Sequence, residues 1–565
     1  MKHHSHPSIR TQYISRPKTY SYLFLLIIAA IIILVGNSPD DIYPLVTAIS
    51  AFVFVVGIGY LLSAKVLFAI STGSVLVIVL QFINQLKVHY YKDKLMFSDL
   101  FMLTDLSNIG TLFHYPEAGL ALVGLGGIVA ITLIVGWRAV PRRRGVTPRV
   151  VALCMMSVSG GVLSQCVLFY QQDWAGTLPG GTGVVSNLVM SSSQMNYDSP
   201  SFPDDSSENF TTRTSVLNKV SQASDNMHPD IVLLLQESTT DPRLYQLPDP
   251  ALLPHFSMFE QGTAVKAHTL MRVQTFGGGT WLSEFSVLTG LRSDDFGTKK
   301  NAVFYSVIDH VNDSLFKQMK ANGYYTVVLT PFNKSAYNAG HAYTMMGVDK
   351  IIQPQELGYP GSLQDNLWHI STADILHYIK KILDTHTDKP VFVYALTMYE
   401  HGPYDASHKD NYQLRPVVTN KTSAAKFSHY MEKIQTSDAA MSEFFQFIDQ
   451  RQKPTMFMYF GDHQPNIDWE NGYSTSLPDA AHLTQFSLRD NANMQPVADL
   501  GSITDIAFLG GILLEQARLK VSPFYQANID MRHLCKGALN DCEDQSLFNS
   551  YRHYIYNILK VASQD

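Results

Sequence analysis

The hydrophobic pattern divides the chain near residue 171. Up to that point apolar residues fall in five long runs, at about 20–37, 43–63, 66–85, 118–138 and 150–170. Each approaches the roughly 20 residues that a helix needs to cross a bilayer. Beyond residue 228 the apolar residues fall in short runs of strand length, at 231–235, 325–329, 391–396, 456–460 and 506–509. Segments of helical period separate them, with 425–452 as a clear example. Short β-rich runs alternating with helices predict an α/β domain with a mainly parallel sheet. Residues 172–228 fit neither pattern, being rich in Ser, Gly, Asn and Asp and carrying Pro200 and Pro203. They read as a linker with room for short helices. The expected organisation is a five-span transmembrane domain (1–171), a linker (172–228) and a soluble domain (229–565).

Charge orients the apolar third. Lys2, Arg10, Arg16 and Lys18 precede the first run, and Arg138, Arg142, Arg143, Arg144 and Arg149 flank the gap between the fourth and fifth. Basic loops stay cytoplasmic, so both segments face inward. The turn at Lys65 fits the inside, and the first loop, with Asp40 and Asp41, fits the outside. Five spans then put everything after about residue 172 outside. The first run is not a cleavable signal, because it is long and more spans follow. The loop at 86–117 carries Phe97, Leu100, Phe101, Met102, Leu103 and Leu106 among charges. Such a segment lies along the outer membrane interface or packs on the soluble domain.

Overall, hydrophobic residues make up 46% and charged residues 16%, with a net charge of −6. That balance excludes a general nucleic-acid binder. Cys154 and Cys166 lie in the apolar third and read as packing residues. Cys535 and Cys542 lie in a polar stretch with Gly537 and Asn540 between them, and outside the cytosol they can close a small disulfide loop.

The chemistry centres on Gln274-Thr275-Phe276-Gly277-Gly278-Gly279-Thr280-Trp281-Leu282-Ser283-Glu284-Phe285. Trp281, Phe285 and Leu288 share a helical face, and Gly290 marks a stop. Thr280 then opens a short helix, where backbone N–H groups and the dipole favour an anion. Taken alone, the stretch better suits an N-capping Thr after a glycine turn. The residues after the strand runs shift that balance: Glu237, then Thr330 and Asn333, then Glu400 and His401, then Asp462 and His463. In an open parallel sheet the ligand crevice lies beyond the C-terminal strand ends, so these groups have a common reason to converge. Glu237, Asp462, His463 and Thr280 form a set able to hold one divalent cation such as Mn²⁺ or Zn²⁺. Thr280 would be the nucleophile toward phosphorus. His401 would protonate a leaving oxygen or bind a phosphate oxygen. His341 and Lys334 are phosphate-binding candidates, and Glu284 is either a solvated helix-face charge or a partner of residues around the site.

The chain resembles lipoteichoic acid synthases and related phosphoglycerol transferases of the alkaline phosphatase/sulfatase-like superfamily. The resemblance rests on Gln236-Glu237-Ser238, Gly277-Gly278-Gly279-Thr280-Trp281-Leu282-Ser283-Glu284-Phe285, Glu400-His401-Gly402-Pro403-Tyr404 and Tyr459-Phe460-Gly461-Asp462-His463. The segment from Asn333-Lys334-Ser335-Ala336-Tyr337-Asn338 to Met346-Gly347-Val348-Asp349-Lys350 also looks like the family's substrate region. The resemblance implies that Glu237, Thr280, Asp462 and His463 bind metal (Mn²⁺ foremost, with Zn²⁺ and Mg²⁺ as alternatives). It implies that Thr280 is the nucleophile and that His401 lies at the substrate; Asn333, Lys334 and His341 fall in the segment that looks like the substrate region, and Trp281, next to Thr280, is a further substrate-binding candidate. It implies a bacterial cytoplasmic-membrane protein with an extracytoplasmic catalytic domain. Such an enzyme moves phosphoglycerol from phosphatidylglycerol, or phosphoethanolamine from phosphatidylethanolamine, to an acceptor hydroxyl of a glycan or glycolipid. The region from Thr330 to Ala339 departs from the lipoteichoic acid synthase pattern in having no His or Arg.

Two other readings are available. A phosphodiesterase or phosphatase would let water intercept the phospho-threonine intermediate. A sulfatase would need Cys or Ser in a Cys/Ser-x-Pro-x-Arg context, which the Thr280 region lacks. A catalytically silent envelope sensor or scaffold would predict missing ligands or a missing nucleophile, yet all four positions are filled.

Overall fold

The computed structural model describes residues 16–563 apart from 39, 92, 104–115, 140–144, 171–180, 193–196, 203–206, 216, 218–227, 246–249, 387, 413–420, 468–478, 541 and 543. Lys2, Arg10, Arg142, Arg143, Arg144, Leu106 and Pro203, invoked above, lie outside the described residues.

Among the described residues the apolar third has five long helices: α1 (Arg16–Gly36), α2 (Ile42–Ser63), α3 (Val66–Tyr91), α4 (Pro116–Ala139) and α5 (Thr147–Tyr170). Among the described residues, Ile42–Ser63, Val66–His89 and Thr147–Phe169 are long and apolar enough to cross a membrane, while Leu23–Gly36 and Leu122–Ile134 are shorter apolar helices. Asp41 caps α2, its carboxylate accepting from the Tyr43 N–H at 3.0 Å. α2 packs against α3 and α5. Asn37, at the end of α1, accepts from the Gly183 N–H at 2.9 Å and from Ser186 Oγ at 2.7 Å. That pair ties α6 (Val184–Ser192) to the apolar bundle.

The segment read as a linker is partly packed. It contains α6 and α7 (Ser207–Thr214), and its Tyr197, Phe202 and Phe210 belong to the main hydrophobic cluster of the soluble domain.

Among the described residues the α/β part of the chain has eight strands: β1 (Asp230–Gln236), β2 (Val265–Arg272), β3 (Tyr325–Leu329), β4 (Lys350–Ile352), β5 (Val391–Leu396), β6 (Thr455–Gly461), β7 (Leu483–Asp490) and β8 (Ile503–Asp505). Their order is β4-β3-β5-β1-β6-β7-β2-β8. The half from β4 to β6 is wholly parallel, β7 runs antiparallel to both neighbours, and β8 pairs parallel with β2. The sheet is therefore mixed. Two large apolar clusters cover its faces, one containing Ile231, Leu233 and Leu235 and the other Val232 and Leu234 of the same strand. Both faces of β1 are thus buried, which is why the central strands are continuous apolar runs.

One expected strand is absent. Residues 506–509 form the 3₁₀ turn Ile506–Phe508 and the start of a helix, Leu509–Gln516. Asp505 causes this, since its side chain accepts from the Ala507 N–H at 3.0 Å and opens a helix there. Cys535 and Cys542 are joined as a disulfide.

Candidate active site

Adjacent strand ends build the site. Gln236 of β1 pairs with Gly461 of β6, so Glu237 and Asp462 leave the sheet side by side. Gly461 is required for that approach, because a Cβ there would stand 1.7 Å from the Thr239 carbonyl oxygen. Ser238 turns the chain with φ 50°, donates its N–H to Asp462 Oδ1 at 2.8 Å, and donates its hydroxyl to Glu237 Oε1 at 2.9 Å. The His463 N–H also donates to Asp462 Oδ1, at 2.9 Å.

Thr280 reaches the same point from another element. It opens α8 (Thr280–Thr289) after Gly279, which sits at φ 81°. Gly290, at φ 72°, closes the helix. Thr280 Oγ1 donates to Glu237 Oε2 at 3.2 Å, and Ser283, one turn on, donates its hydroxyl to the Asp462 carbonyl at 2.6 Å. The helix is thereby fastened to both strand ends that carry the acids.

Ligand atoms of Glu237, Asp462 and His463 all lie within 4.8 Å of one another. All three residues are buried, the carboxylates at 1% and 0% exposure and the imidazole at 1%. His463 Nδ1 faces the Gln464 carbonyl at 2.9 Å, which orients the ring and turns Nε2 toward Asp462 Oδ2 at 3.2 Å and Glu237 Oε1 at 3.3 Å. Yet Asp462 Oδ2 and His463 Nε2 make no hydrogen bond among the described residues. Buried polar atoms without partners are costly. Burial and the neighbouring Glu237 push Asp462 up to about 7, and burial likewise raises Glu237. Burial opposes charge on His463, but Asp462 and Glu237 overcome it and hold the imidazole above its ordinary value. The cluster is short of positive charge. Two carboxylates, an imidazole and a hydroxyl with unpartnered atoms fit a divalent cation.

His401 stands on the loop after β5. Glu400 anchors that loop, buried and accepting from Thr372 Oγ1 and Thr397 Oγ1, each at 2.7 Å. Lys433 Nζ donates to the carbonyls of Tyr399 and His401 at 2.9 and 3.2 Å. The His401 ring is half-buried against Trp368, with Nδ1 on the Gly402 carbonyl. Burial pushes it down to about 4, with His463 and Lys433 adding to the effect. That favours the neutral form of the imidazole.

The remaining candidates have other partners. Lys334 pairs with Glu356 at 2.8 Å and His341 with Asp309 at 2.5 Å. Asn333 donates its amide to Gln364 Oε1 at 2.8 Å. Trp281 donates its indole N–H to the Asn301 carbonyl at 2.9 Å and is tilted against Tyr337. None of these contacts links them to the Glu237 cluster. Glu284 is not a solvated charge, because it is fully buried and accepts hydroxyls from Tyr343 and Tyr394. Sequence reasoning missed Ser238, which organises both acids. Its signal was the unusually polar run Glu237-Ser238-Thr239-Thr240-Asp241 directly after a buried strand.

Comparison with known proteins places this geometry. The sulfatase family model matches residues 229–507. An uncharacterized protein of Haemophilus influenzae is 35% identical over 560 residues, covering 96% of this chain and 99% of its own. A putative cyclic beta-1,2-glucan modification protein of Rhizobium meliloti is 24% identical over 319 residues, covering 53% of this chain and 47% of its own. Among solved structures, the Streptococcus pyogenes phosphoglycerol transferase GacH, in complex with sn-glycerol-1-phosphate, shares the fold. Its TM-score is 0.52 at 17% identity, covering 64% of this chain and 95% of its own. Residues 229–507 of the chain are thus a sulfatase domain of the alkaline phosphatase superfamily, with structural neighbours among the phosphoglycerol transferases.

Proposed function

We propose that this protein is a membrane-anchored transferase that moves a phosphoglycerol or phosphoethanolamine head group from a phospholipid to an acceptor hydroxyl of a cell-envelope glycan. Residues 1–171 are the membrane domain with five spans, 172–228 the connection, and 229–565 the extracytoplasmic catalytic domain. The Cys535–Cys542 disulfide supports an oxidising compartment for that domain. The names of two similar proteins, a glucan modification protein and a phosphoglycerol transferase, support the reaction class.

The observation that carries the reading is Thr280 at a helix N-terminus, hydrogen-bonded to Glu237 beside Asp462 Oδ2 and His463 Nε2, which face each other at 3.2 Å but make no hydrogen bond among the described residues. Glu237, Asp462, His463 and Thr280 would hold one divalent cation, Mn²⁺ by preference. When bound, such a cation supplies positive charge that favours the ionised Thr280 hydroxyl and polarises a phosphoryl oxygen. In the first half-reaction a bond forms from Thr280 Oγ1 to phosphorus and the phosphorus–oxygen bond to diacylglycerol breaks. The proton lost by Thr280 ends on the diacylglycerol oxygen. In the second, the acceptor oxygen bonds to phosphorus, the bond to Thr280 breaks, and the acceptor's proton returns to Thr280. His401, held toward the neutral imidazole by burial and with Nδ1 engaged by the Gly402 carbonyl, carries the proton in both halves. The N-terminus of α8 steadies the phosphoryl anion.

The test is incubation of the full chain with head-group-labelled phosphatidylglycerol or phosphatidylethanolamine and Mn²⁺. Wild type is expected to release diacylglycerol and to carry label on Thr280. Thr280→Ala is expected to lose turnover by roughly a thousandfold or more. Equal turnover by both proteins refutes the nucleophile, and turnover of neither lipid refutes the donor class.

A further inference from the structure

The site has a wall that comes from the membrane third. Tyr91 is the last residue of α3, and its ring lies against Gly278, two residues before Thr280. A Cβ at Gly278 would stand 2.9 Å from the Tyr91 ring and 3.6 Å from its hydroxyl. As a whole residue Tyr91 is 39% exposed.

The chain after Tyr91 holds it there. Lys87, one turn back on α3, pairs with Asp99 at 2.6 Å. Asp93 accepts from Asn301 Nδ2 at 2.9 Å and pairs with Lys300 at 3.4 Å. Ser98 Oγ donates to the Thr298 carbonyl at 2.7 Å. Asn301 in turn accepts from the indole of Trp281, the residue after Thr280. The exit of α3 is thus bolted to the segment that supports the Thr280 helix.

We propose that Tyr91 is a donor-positioning residue: it closes the side of the Thr280 cleft nearest the membrane and hydrogen-bonds the glycerol-ester part of a glycerophospholipid, so that lipid diesters are bound in preference to water-soluble ones. This role rests on the transferase reading above. A lipid whose acyl chains stay in the bilayer must enter past the end of a spanning helix. A hydroxyl on that helix, beside the glycine loop, meets the part of the donor that a soluble diester lacks. The neighbouring glycine leaves room for the ring: unlike Gly277 and Gly279, Gly278 is not in the left-handed region. Its lack of a side chain therefore serves the contact with Tyr91 rather than the backbone.

The experiment uses the full chain in detergent–phospholipid mixed micelles with Mn²⁺. The substrates are labelled phosphatidylglycerol, labelled phosphatidylethanolamine and soluble bis(4-nitrophenyl) phosphate. Tyr91→Ala is expected to raise KM for the lipid about tenfold with kcat changed far less, the size of one lost hydrogen bond with its packing. The ratio of lipid KM to soluble-diester KM should rise by at least about fivefold. Tyr91→Phe, which keeps the ring packed on Gly278, should shift the ratio in the same direction by less. Gly278→Ala should mimic Tyr91→Ala by displacing the ring, and should add little to the lipid defect in the double variant. Equal KM changes on both substrates, or none with Tyr91→Ala, overturn the role of Tyr91 while leaving the transferase reading intact. Absence of lipid turnover by wild type defeats the transferase reading itself, and the Tyr91 role with it.

Discussion

Glu284 shows how much one carboxyl can matter away from the reacting atoms. It lies four residues after Thr280, fully buried, with hydroxyls of Tyr343 and Tyr394 on one oxygen. Its other oxygen, Oε2, meets the hydrogen-bond geometry with no partner among the described residues. Burial raises it from an ordinary 4.5 to about 7, and the nearby Asp462 charge adds to the rise. A carboxyl held above its unfolded value binds an extra proton in the folded state. Its contribution is fully present below about 4.5 and is lost as pH rises through about 7. Above that window a buried carboxylate burdens the helix that carries Thr280. Glu284→Gln keeps the shape and an acceptor for the tyrosines without the charge. Relative to wild type it should be more stabilising at pH 8.5 than at pH 5, by roughly 1–3 kcal/mol. Thermal or urea unfolding of both proteins at the two pH values measures this. A difference that does not change with pH would mean the carboxyl does not titrate in the folded protein.

At the scale of elements, the junction of β1 and β6 governs the site, because two adjacent strand ends deliver Glu237 and Asp462. A Cβ at Gly461 would collide at 1.7 Å with the Thr239 carbonyl, a backbone atom that cannot rotate away. Gly461→Ala should therefore push β6 from β1 and misplace Asp462. The expected result is a loss of turnover of order a hundredfold with weaker Mn²⁺ binding by titration calorimetry, at a stability cost of about 1–3 kcal/mol. Unchanged Mn²⁺ affinity would show that the strands absorb the clash elsewhere. This junction was legible in sequence because β1, β3, β5 and β6 are buried on both faces and appear as unbroken apolar runs, each followed by polar groups. The outer strands β2 and β7 were not, since Lys266, His268, Gln485 and Ser487 interrupt their apolar residues. The run at 506–509 misled for a related reason: its apolar content said buried, while the capping Asp505 decided for helix. Within the candidate site, Glu237, Asp462 and His463 are singled out by their places after strands and Thr280 by its place between the glycines and a helix, and the structure brings these four together. Tyr91 cannot be, because its proximity to Gly278 depends on how two halves of the chain dock.

For the whole molecule the same docking bears on where a stable soluble unit begins. Composition puts the boundary near residue 229, where the sulfatase match also starts. The packing begins earlier. Tyr197, Phe202 and Phe210 are 8%, 4% and 2% exposed and join the cluster under β1. Tyr197 donates its hydroxyl to the Ala562 carbonyl at 2.8 Å, and the Phe202 N–H donates to Asn557 Oδ1 at 3.0 Å. The Phe210 N–H donates to Ser550 Oγ at 3.1 Å, and Arg213 pairs with Asp544 at 2.9 Å. This segment therefore clasps the C-terminal helices although it precedes the sheet in sequence. Deleting a buried aromatic side chain costs about 3–5 kcal/mol, and three together rival the 5–15 kcal/mol that holds an ordinary domain folded. A fragment of residues 197–565 should be soluble and unfold cooperatively. One of residues 229–565 should melt roughly 10 °C lower or more and aggregate, because it leaves an open slot beside the C-terminal helices. Differential scanning calorimetry of the two fragments decides the matter. Equal melting temperatures would mean that the C-terminal helices hold their place without the clasp, and that 197–214 is a tether lying on the surface.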